Sequence, residues 1–325
     1  MQYITQHEIQ SVYSMDDCIG DLKEGFRLYL ENKTHAPVRT VLHHSHSEAN
    51  TLFMPSYIEG LEYETVKVVS IFPNNPEAGI RTLQSVILLT ETENGHHLAT
   101  IEASGLTVMR TGAGAGVATE YLAKKNARKL SILGCGAQSR GQLQAVLAVR
   151  PIERVFLWNR TKEKAFTFKE EIQQSGWQGE VIVCETANKA ASEADVLCLS
   201  SKSQEALFDV DALQPGAHIN AIGSYRPDLK EFGADTLEQL DQLWVDTLEG
   251  TQHEAGELIQ AANQGAWSWD KVNGELAELV TGDKPGRLND KEMTLYKSVG
   301  VAYMDTITAA RVYEKVTKNP ANKHK

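Results

Sequence analysis

Three basic residues among the first 110 lie in sequence where an unpartnered charge would be costly. Arg39 stands in Pro37-Val-Arg-Thr, Lys67 in Val66-Lys-Val-Val, and Arg110 directly before a glycine-rich segment. Each is a cation in apolar or tightly turning sequence, where a buried charge needs a partner. Because arginine binds carboxylates through two parallel hydrogen bonds, the three cations predict a carboxylate pocket. Internal salt bridges are the alternative interpretation.

A glycine-rich turn joins an apolar run to a helical pattern in Lys129–Val149. Leu130, Ile132 and Leu133 predict a buried strand, and the segment from Ala137 predicts a helix. Between them, backbone N–H groups could approach a pyrophosphate at the positive end of the helix. The third position of G-x-G-x-x-G is a serine, so an ordinary strand–helix turn is the alternative. The expected cofactor-binding residues of this turn are Gly134, Gly136, Ala137, Gln138 and Ser139.

The end of the next strand indicates which dinucleotide would bind. Val155–Trp158 runs into Asn159-Arg160-Thr161. An Asp or Glu at this place would bind the ribose 2′-hydroxyl of NAD and repel a 2′-phosphate. Asn159 is neutral, whereas Arg160, Thr161 and Lys162 offer two cations and a hydroxyl, which predicts a phosphate pocket and NADP(H) in preference to NAD(H). Asn159, Arg160 and Thr161 are the expected cofactor-binding residues. The alternative is a solvated turn with surface cations.

Strand and helix patterns alternate after this point, which predicts a parallel, doubly wound α/β sheet. Four further strands are expected, at Val181–Cys184, Asp195–Ser201, Ala217–Ile222 and Gln242–Asp246. Ligands of such sheets bind at the carboxyl ends of the strands. Ser200, Ser201, Ile222 and Gly223 are therefore expected to line the dinucleotide site.

About the first 110 residues have a different pattern: a helix and then a mostly antiparallel sheet. Ser14 and Asp17 form a plausible capping pair for the helix. The predicted strands are Val38–Leu42, Thr51–Pro55, Tyr63–Phe72, Thr82–Thr90 and His97–Glu102. The glycines of Thr111–Gly116 are interpreted as a close backbone approach at a domain junction, in a turn that follows Arg110 and precedes a helix from Val117 to Ala127.

The C-terminal segment predicts one more helix. Val301, Met304, Ile307 and Ala310 form an apolar stripe, and the helix is expected to pack on the N-terminal sheet. The nucleotide sheet is expected to be complete before this helix begins. The tail Lys318–Lys325 is expected to be disordered.

Composition excludes several classes of protein. The net charge of −11 argues against nucleic acid or an anionic membrane as the main partner. No apolar run is long enough to span a bilayer, and the N-terminus lacks a secretory signal pattern, so a cytoplasmic protein is expected. The four cysteines form no C-x-x-C pair, which favours buried thiols. His43, His44 and His46 have no cysteine nearby, so no metal site is expected.

Taken together, these segments resemble the ornithine cyclodeaminase/mu-crystallin family over essentially the whole chain. The motifs that carry the resemblance occur in family order: Arg39, Lys67, Arg110-Thr-Gly-Ala, Gly134-Cys-Gly-Ala-Gln-Ser139, Trp158-Asn-Arg-Thr161 and Lys297-Ser-Val-Gly300. The resemblance implies a Rossmann-type domain over residues 113–295 that carries the cofactor. It also implies an α+β substrate-binding and dimerisation domain over residues 1–112, completed by the C-terminal helix in 296–325, and a homodimer.

The resemblance also assigns residue roles. Arg39, Lys67 and Arg110 would bind the carboxylate of a small imino or amino acid, and Lys67 and Arg110 would be catalytic. Thr111 and Lys297 would join the cofactor-binding residues.

One motif departs from the cyclodeaminase pattern. Ornithine cyclodeaminases have Gly-Gly-Asp-x-Pro-Gly-Lys after the fifth strand, whereas this chain has Gly223-Ser-Tyr-Arg-Pro-Asp-Leu229, with Tyr225 in place of the Asp. The Ser-x-Arg-Pro-Asp pattern resembles the ketimine-reductase branch. The implied activity is NAD(P)H-dependent reduction of a cyclic ketimine acid, such as Δ1-pyrroline-2-carboxylate to L-proline. The alternatives are ornithine cyclodeamination, alanine dehydrogenation, opine-type condensation, or a non-catalytic NADP-bound protein of mu-crystallin type.

Overall fold

The computed structural model describes residues 1–318, so the predicted disordered tail, beyond Lys318, lies outside the described residues. The chain divides into two compact units. The first takes in Met1–Arg110 and the segment that begins at Val301, and the second is Thr111–Gly300. Among the described residues, no helix has the length and apolar character needed to cross a bilayer.

The chain forms fifteen strands and eleven α-helices in this range. The strands are β1 (Gln2–Ile4), β2 (Thr34–His35), β3 (Thr40–His44), β4 (Ala49–Ile58), β5 (Tyr63–Ile71), β6 (Leu83–Glu91), β7 (His97–Glu102), β8 (Lys129–Leu133), β9 (Arg154–Trp158), β10 (Glu180–Val183), β11 (Val196–Leu199), β12 (His218–Ala221), β13 (Gln242–Val245), β14 (Gly274–Glu275) and β15 (Thr294–Lys297). The helices are α1 (Gln6–Val12), α2 (Met15–Leu30), α3 (Ala103–Leu122), α4 (Ala137–Val149), α5 (Lys162–Gln174), α6 (Ala187–Ala191), α7 (Ala234–Gln239), α8 (Leu248–Glu254), α9 (Gly256–Asn263), α10 (Leu276–Thr281) and α11 (Ala302–Lys318).

The sheet of the first unit is antiparallel except at one edge, as the sequence predicts. Its order is β1-β7-β6-β5-β4-β2, and β3 also pairs with β4. Among the described strands of this first sheet, only β1 and β7 pair in parallel. Along β4 buried and partly exposed residues alternate, because successive side chains of a strand point to opposite faces.

The C-terminal helix packs on this sheet, which confirms the prediction made from its apolar stripe. Ala302 of α11 forms a buried cluster with Leu52, Met54 and Val69 of β4 and β5. On another side, Tyr303 stacks on Tyr29 of α2 with the ring centroids 5.2 Å apart. Helix α2 begins with the predicted capping pair, in which the Ser14 and Asp17 side chains each accept the other's backbone N–H.

The glycine-rich segment after Arg110 is helical, so the predicted turn is wrong. Helix α3 runs without interruption from Ala103 to Leu122 and includes Arg110 and Thr111–Gly116. The predicted close backbone approach does occur, since a Cβ at Gly112 would overlap the backbone of Gly141 in α4. Glycine here serves helix packing, and a propensity argument cannot separate that use from a turn.

The second unit contains an eight-stranded parallel sheet in the order β10-β9-β8-β11-β12-β15-β13-β14. The doubly wound class is confirmed by two apolar clusters on opposite faces. Leu130 and Leu157 belong to one, with the inner side of α4 and α5. Leu133, three positions after Leu130, and Phe156, one position before Leu157, belong to the other.

The last predicted strand of this sheet ended at Asp246, but two further strands follow it before the C-terminal helix begins. β15 lies between β12 and β13 in the sheet, and β14 forms one edge. β15 has only four residues and follows an irregular segment rather than a helix, so the strand–helix alternation did not reveal it. The expected domain limit at residue 295 falls inside this strand, whereas the observed division follows Gly300.

Candidate active site

Lys67 and Arg110 converge on one buried carboxylate, that of Asp305. The Lys67 Nζ donates to Asp305 Oδ2 at 2.5 Å, and the Arg110 Nε donates to Oδ1 at 2.9 Å. Lys67 and Asp305 are each 1% exposed and Arg110 is 5% exposed. The two cations thus come together on an internal carboxylate, which is the salt bridge that the sequence analysis gave as its alternative interpretation, and the sequence analysis did not identify Asp305 as the partner.

Three separate elements position this cluster. Lys67 occupies the middle of β5, between its register partners Met54 of β4 and Ile87 of β6. Arg110 projects from α3, and Asp305 lies in the first turn of α11. The signal that could have revealed Asp305 is its place beside Met304 in an otherwise apolar stripe. A charged residue there must be buried with a cation.

Arg39 belongs to the same cluster at a greater distance. It lies in the loop between β2 and β3, directly before Thr40, rather than in a strand, and it is partly buried. Its positive charge is near enough to lower the pKa of Lys67. Within the cluster, Lys67 and Arg110 share the single carboxylate of Asp305, so the two cations exceed the one negative charge.

Burial sets the protonation of the cluster. Burial and the positive charge of Arg110 together lower the pKa of Lys67 to about 7, although the carboxylate of Asp305 opposes them. Burial raises the pKa of Asp305, but the charges of Arg110 and Lys67 outweigh burial, so the net direction is downward. The ammonium can therefore gain or lose a proton near neutral pH while the carboxylate stays ionised.

The predicted glycine turn has the geometry of an anion-binding loop. Gly134 has φ of +97°, a conformation that favours glycine. Gly136 is the N-cap of α4 and has an extended backbone. Because glycine has no side chain, the N-cap residue does not cap the backbone N–H groups at the start of this helix. Gly136 and Ala137 are exposed and Gln138 is partly exposed. Ser139 is buried and donates from its hydroxyl to the Gly136 carbonyl at 2.6 Å, so it shapes the loop from within.

The Asn159-Arg160-Thr161 segment lies beside this loop. The Asn159 Oδ1 accepts the Cys135 backbone N–H at 2.9 Å, which ties the end of β9 to the glycine turn. Arg160 and Thr161 are exposed, and Thr161 is the N-cap of α5. Lys162, which follows them, pairs with Glu185 at 2.9 Å. Arg160 and Lys162 are thus both exposed cations after this strand, and Lys162 is paired with a carboxylate.

The predicted residues at the ends of β11 and β12 also lie together, with a further residue that sequence reasoning missed. Ser200 donates from its hydroxyl to the Gly134 carbonyl at 2.7 Å. The backbone N–H groups of Ser201 and Gly223 both donate to the buried carboxylate of Glu231. Ile222, between these groups, is 7% exposed.

Lys297 is completely buried behind these strand ends. Its Nζ donates to the Ser224 carbonyl at 2.7 Å and pairs with Glu257 at 3.2 Å. The ammonium is therefore occupied by protein groups and supports the segment after β12. Ser298, Val299 and Gly300, the rest of the motif, all donate to Asp246 Oδ2 at the end of β13. Thr111, the other residue assigned by resemblance, is partly exposed on α3.

The Gly223–Leu229 motif, which departs from the cyclodeaminase pattern, is exposed at Arg226, Pro227 and Asp228. Arg226 binds Asp228 with two hydrogen bonds, at 2.9 and 2.6 Å. Tyr225 is partly buried, and burial raises the pKa of its hydroxyl. This position therefore carries a neutral phenol where the cyclodeaminase pattern has a carboxylate.

The histidines and cysteines have structural surroundings. His43 and His44 contact Asn50 and Thr51 of the neighbouring strand. All four cysteines are buried free thiols. Over residues 1–318, no three His, Cys, Asp or Glu side chains are arranged to hold a metal ion.

Comparison with known proteins identifies the family of this architecture. A model of the ornithine cyclodeaminase/mu-crystallin family matches residues 2–319. The chain belongs to that family. The resemblance seen in the sequence motifs is confirmed.

Among its relatives, a Δ1-pyrroline-2-carboxylate reductase of Bacillus cereus is 36% identical over 98% of this chain and 97% of its own. The solved structure of the Δ1-pyrroline-2-carboxylate reductase of Thermococcus litoralis, in complex with NADH and L-proline, is 35% identical with a TM-score of 0.94 and covers 98% of both chains. An archaeal alanine dehydrogenase dimer with bound NAD is 31% identical with a TM-score of 0.90, over 98% of this chain and 96% of that one.

Proposed function

We propose that this family member is an NAD(P)H-dependent reductase of a cyclic ketimine acid, with Δ1-pyrroline-2-carboxylate as the expected substrate and L-proline as the product. The observation that carries the proposal is the buried lysine at the excess-positive cluster, where Lys67 and Arg110 share Asp305. Two reductases of this substrate, each at least 35% identical to nearly the whole chain, support the same reaction.

The cationic cluster binds the substrate carboxylate. Arg110 uses its Nε for Asp305, and its two terminal nitrogens have no hydrogen-bond partner among the described residues. Those terminal N–H groups form the edge that can grip a carboxylate with two parallel hydrogen bonds. Arg39 adds positive charge from the neighbouring loop. Binding an anion here offsets the repulsion between Lys67 and Arg110, which share one carboxylate.

Lys67 holds the proton that the reaction consumes. Reduction of an imine adds a hydride to C2 and a proton to the ring nitrogen, and the C=N double bond becomes a C–N single bond. With a pKa of about 7, the Lys67 ammonium at Nζ is a competent acid near neutral pH. After transfer, the neutral amine regains a proton from water.

The second unit supplies a site that fits a nicotinamide dinucleotide. Its exposed backbone at Gly136 and Ala137, at the start of α4, suits a pyrophosphate. When bound, the reduced cofactor supplies the hydride. Arg160 and Thr161 are exposed at the end of β9, where Asn159 replaces an acid, so the cofactor is NADPH in preference to NADH. Thr111 lies in the part of α3 that belongs to this unit. Lys297 contributes indirectly, because its ammonium supports the segment after β12 through the Ser224 carbonyl.

The antiparallel unit is also the dimerisation domain. Seven large hydrophobic side chains of Met1–Arg110 are exposed: Met1, Tyr3, Val38, Val41, Leu42, Ile80 and Val86. Burying such side chains against a second copy is favourable, since monomers seldom leave large apolar patches in water. The dimer of the related alanine dehydrogenase supports a two-fold assembly.

Alanine dehydrogenation is the second candidate, because a relative named for it is 32% identical over 99% of the chain. A comparison of substrates separates the two. The purified protein is given NADPH with Δ1-pyrroline-2-carboxylate, or with pyruvate and ammonia, and oxidation of the cofactor and formation of chiral L-proline or L-alanine are followed. We expect rapid reduction of the cyclic imine.

The matched variants are Lys67→Met, which should lose the reductase activity, and Lys125→Met, an exposed lysine whose loss should not change it. Faster turnover of pyruvate with ammonia would replace the proposal by the second candidate. Absence of turnover with every imino and keto acid would favour a binding protein.

A further inference from the structure

Asp305 is a charged residue in an apolar environment with both of its oxygens in use. Its Oδ2 accepts from Lys67 and its Oδ1 from Arg110. Met304 and Ile307, its neighbours on α11, are buried apolar residues. In such surroundings the ionised carboxylate is stabilised by its two cations, and the same hydrogen bonds hold Lys67 and Arg110 in place.

The hydrogen bonds leave the reactive edges of both cations available. Arg110 gives only its Nε to Asp305, and Lys67 gives one of its three N–H bonds. No other hydrogen bond to these side chains occurs in residues 1–318. Asp305 thus orients the Arg110 guanidinium and the Lys67 ammonium, and it leaves their other N–H groups for contact with a substrate.

We propose that Asp305 is a positioning residue that acts through Lys67 and Arg110: it fixes the direction of both cations and keeps Lys67 protonated for transfer to the imine nitrogen. This inference rests on the proposed reductase function. It assigns to the C-terminal helix a part in the chemistry as well as in the packing.

The charges around Lys67 give the direction of the expected effect. Arg110 faces the ammonium from α3, Arg39 from the loop before β3, and Asp305 from α11. Burial and both arginines lower the Lys67 pKa, and Asp305 opposes them. Without the negative charge, Lys67 loses its proton at a lower pH. Because reduction needs the protonated form, the alkaline decline of kcat/KM moves to lower pH.

The test compares Asp305→Asn with Thr306→Val. Thr306 is the next residue of α11, and its hydroxyl bonds that of Thr65 on β5 at 2.7 Å, so this control breaks a buried contact between the same two elements without removing a charge. The pH profile of kcat/KM is measured with Δ1-pyrroline-2-carboxylate and saturating NADPH. Since every variant uses the same substrate, titration of the imine itself cancels in the comparison.

We expect Asp305→Asn to move the alkaline decline down by about one pH unit or more and to reduce kcat/KM at pH 8 by at least about tenfold. Thr306→Val should keep the wild-type profile. Asp305→Glu keeps the charge with a longer side chain, so it should retain the wild-type pH dependence at a reduced rate. Equal loss of rate in Asp305→Asn and Thr306→Val with an unchanged profile would overturn the proposal.

A measurement without substrate separates this inference from the proposed function. The Cε signal of Lys67 in 13C-lysine-labelled protein, assigned by its absence in Lys67→Met, is titrated in the wild type and in the Asp305 variants. A downward shift of the Lys67 pKa in Asp305→Asn supports the positioning role even if the imine is not the substrate. If Asp305→Asn does not fold, Asp305→Glu is the deciding variant, because it keeps the negative charge and should keep the wild-type pKa of Lys67. A shift of about one pH unit in the Lys67 pKa and in the pH profile of Asp305→Glu would overturn the proposal.

Discussion

Glu231 and Gly223 are joined by a hydrogen bond of 2.8 Å, from the Gly223 backbone N–H to the Glu231 Oε2. The other oxygen of the same carboxylate accepts the backbone N–H of Ser201 at 2.5 Å. Glu231 is completely buried, and it thereby holds the ends of β11 and β12 in a fixed relation. These are the strand ends at which a dinucleotide is expected to bind.

The protonation of Glu231 should control cofactor affinity. Burial, with a contribution from the charge of Glu257, raises the pKa of Glu231 to about 7, although the charge of Lys297 opposes this shift. The ionised carboxylate accepts both N–H groups, whereas a protonated one offers a poorer second acceptor. We expect the affinity for NADH to increase as the pH rises through about 7. NADH is the appropriate probe, because it lacks the 2′-phosphate of NADPH, which itself titrates near pH 6.

Glu231→Gln removes this dependence, since an amide has one acceptor and its NH2 group would face a second donor. An unsatisfied buried donor costs about 1–3 kcal/mol, so the Kd for NADH should rise roughly tenfold or more. Glu180→Gln, which changes an exposed glutamate of the same sheet, is the control. Titration by nicotinamide fluorescence measures both. An unaltered pH dependence in Glu231→Gln would show that another group titrates.

Arg110→Ala should abolish measurable reduction of the imino acid while the Kd for NADPH stays nearly unchanged. The variant loses the carboxylate contact and leaves Asp305 with one cation, so the melting temperature should also fall, consistent with the loss of about 3–5 kcal/mol for a broken buried pair. Arg110→Lys should recover little activity, because an ammonium lacks the two-pronged geometry. Steady-state kinetics and calorimetry measure these effects, with the exposed Arg81→Ala as control. Near-normal kcat/KM in Arg110→Ala would leave the cations with a structural role alone.

Arg160→Ala should raise the KM for NADPH far more than the KM for NADH. Arg160 is exposed at the end of β9, and only NADPH has a 2′-phosphate for it to bind. Lys164→Ala removes an exposed cation from the following helix and should affect neither cofactor. Initial rates with each cofactor measure the ratio. Equal changes for NADPH and NADH would contradict the phosphate-binding assignment.

Sedimentation velocity at micromolar concentration should give a particle of twice the 35.9 kDa chain mass. Leu42→Glu places a charge on the exposed apolar face of β3, and should shift the protein toward monomer. Leu288→Glu changes an exposed leucine of the other unit and should leave the dimer intact. A monomeric wild type, or equal dissociation of both variants, would refute this dimerisation surface.

Local patterns predicted the elements that depend on neighbouring residues. Gly134 takes a positive φ directly after β8, and Ser14 caps α2, because each of these features is decided within a few positions of the chain. Alternation of strands and helices likewise predicted the parallel class. The same reasoning failed at Thr111–Gly116, since glycine is required both in turns and where two helices touch.

Long-range packing decided the parts that local patterns could not. β15 enters the sheet between β12 and β13 through a pairing that no nearby residue specifies. Glu231 is separated from Ser201 by 30 positions, and its sequence surroundings do not distinguish it from a surface glutamate. Its carboxylate accepts the backbone N–H groups of Ser201 and Gly223 because the fold brings the ends of β11 and β12 together beside it.

The sequence by itself determined which side chains could bind a substrate carboxylate, because Arg39, Lys67 and Arg110 are cations in segments that must be at least partly buried. The tertiary structure decided what surrounds them. Asp305 is 238 positions from Lys67 and 195 from Arg110, and it meets both only because α11 returns to the first sheet. Electrostatic interaction depends on distance in space and on burial rather than on separation along the chain, so the state of Lys67 near neutral pH is a property of the folded cluster.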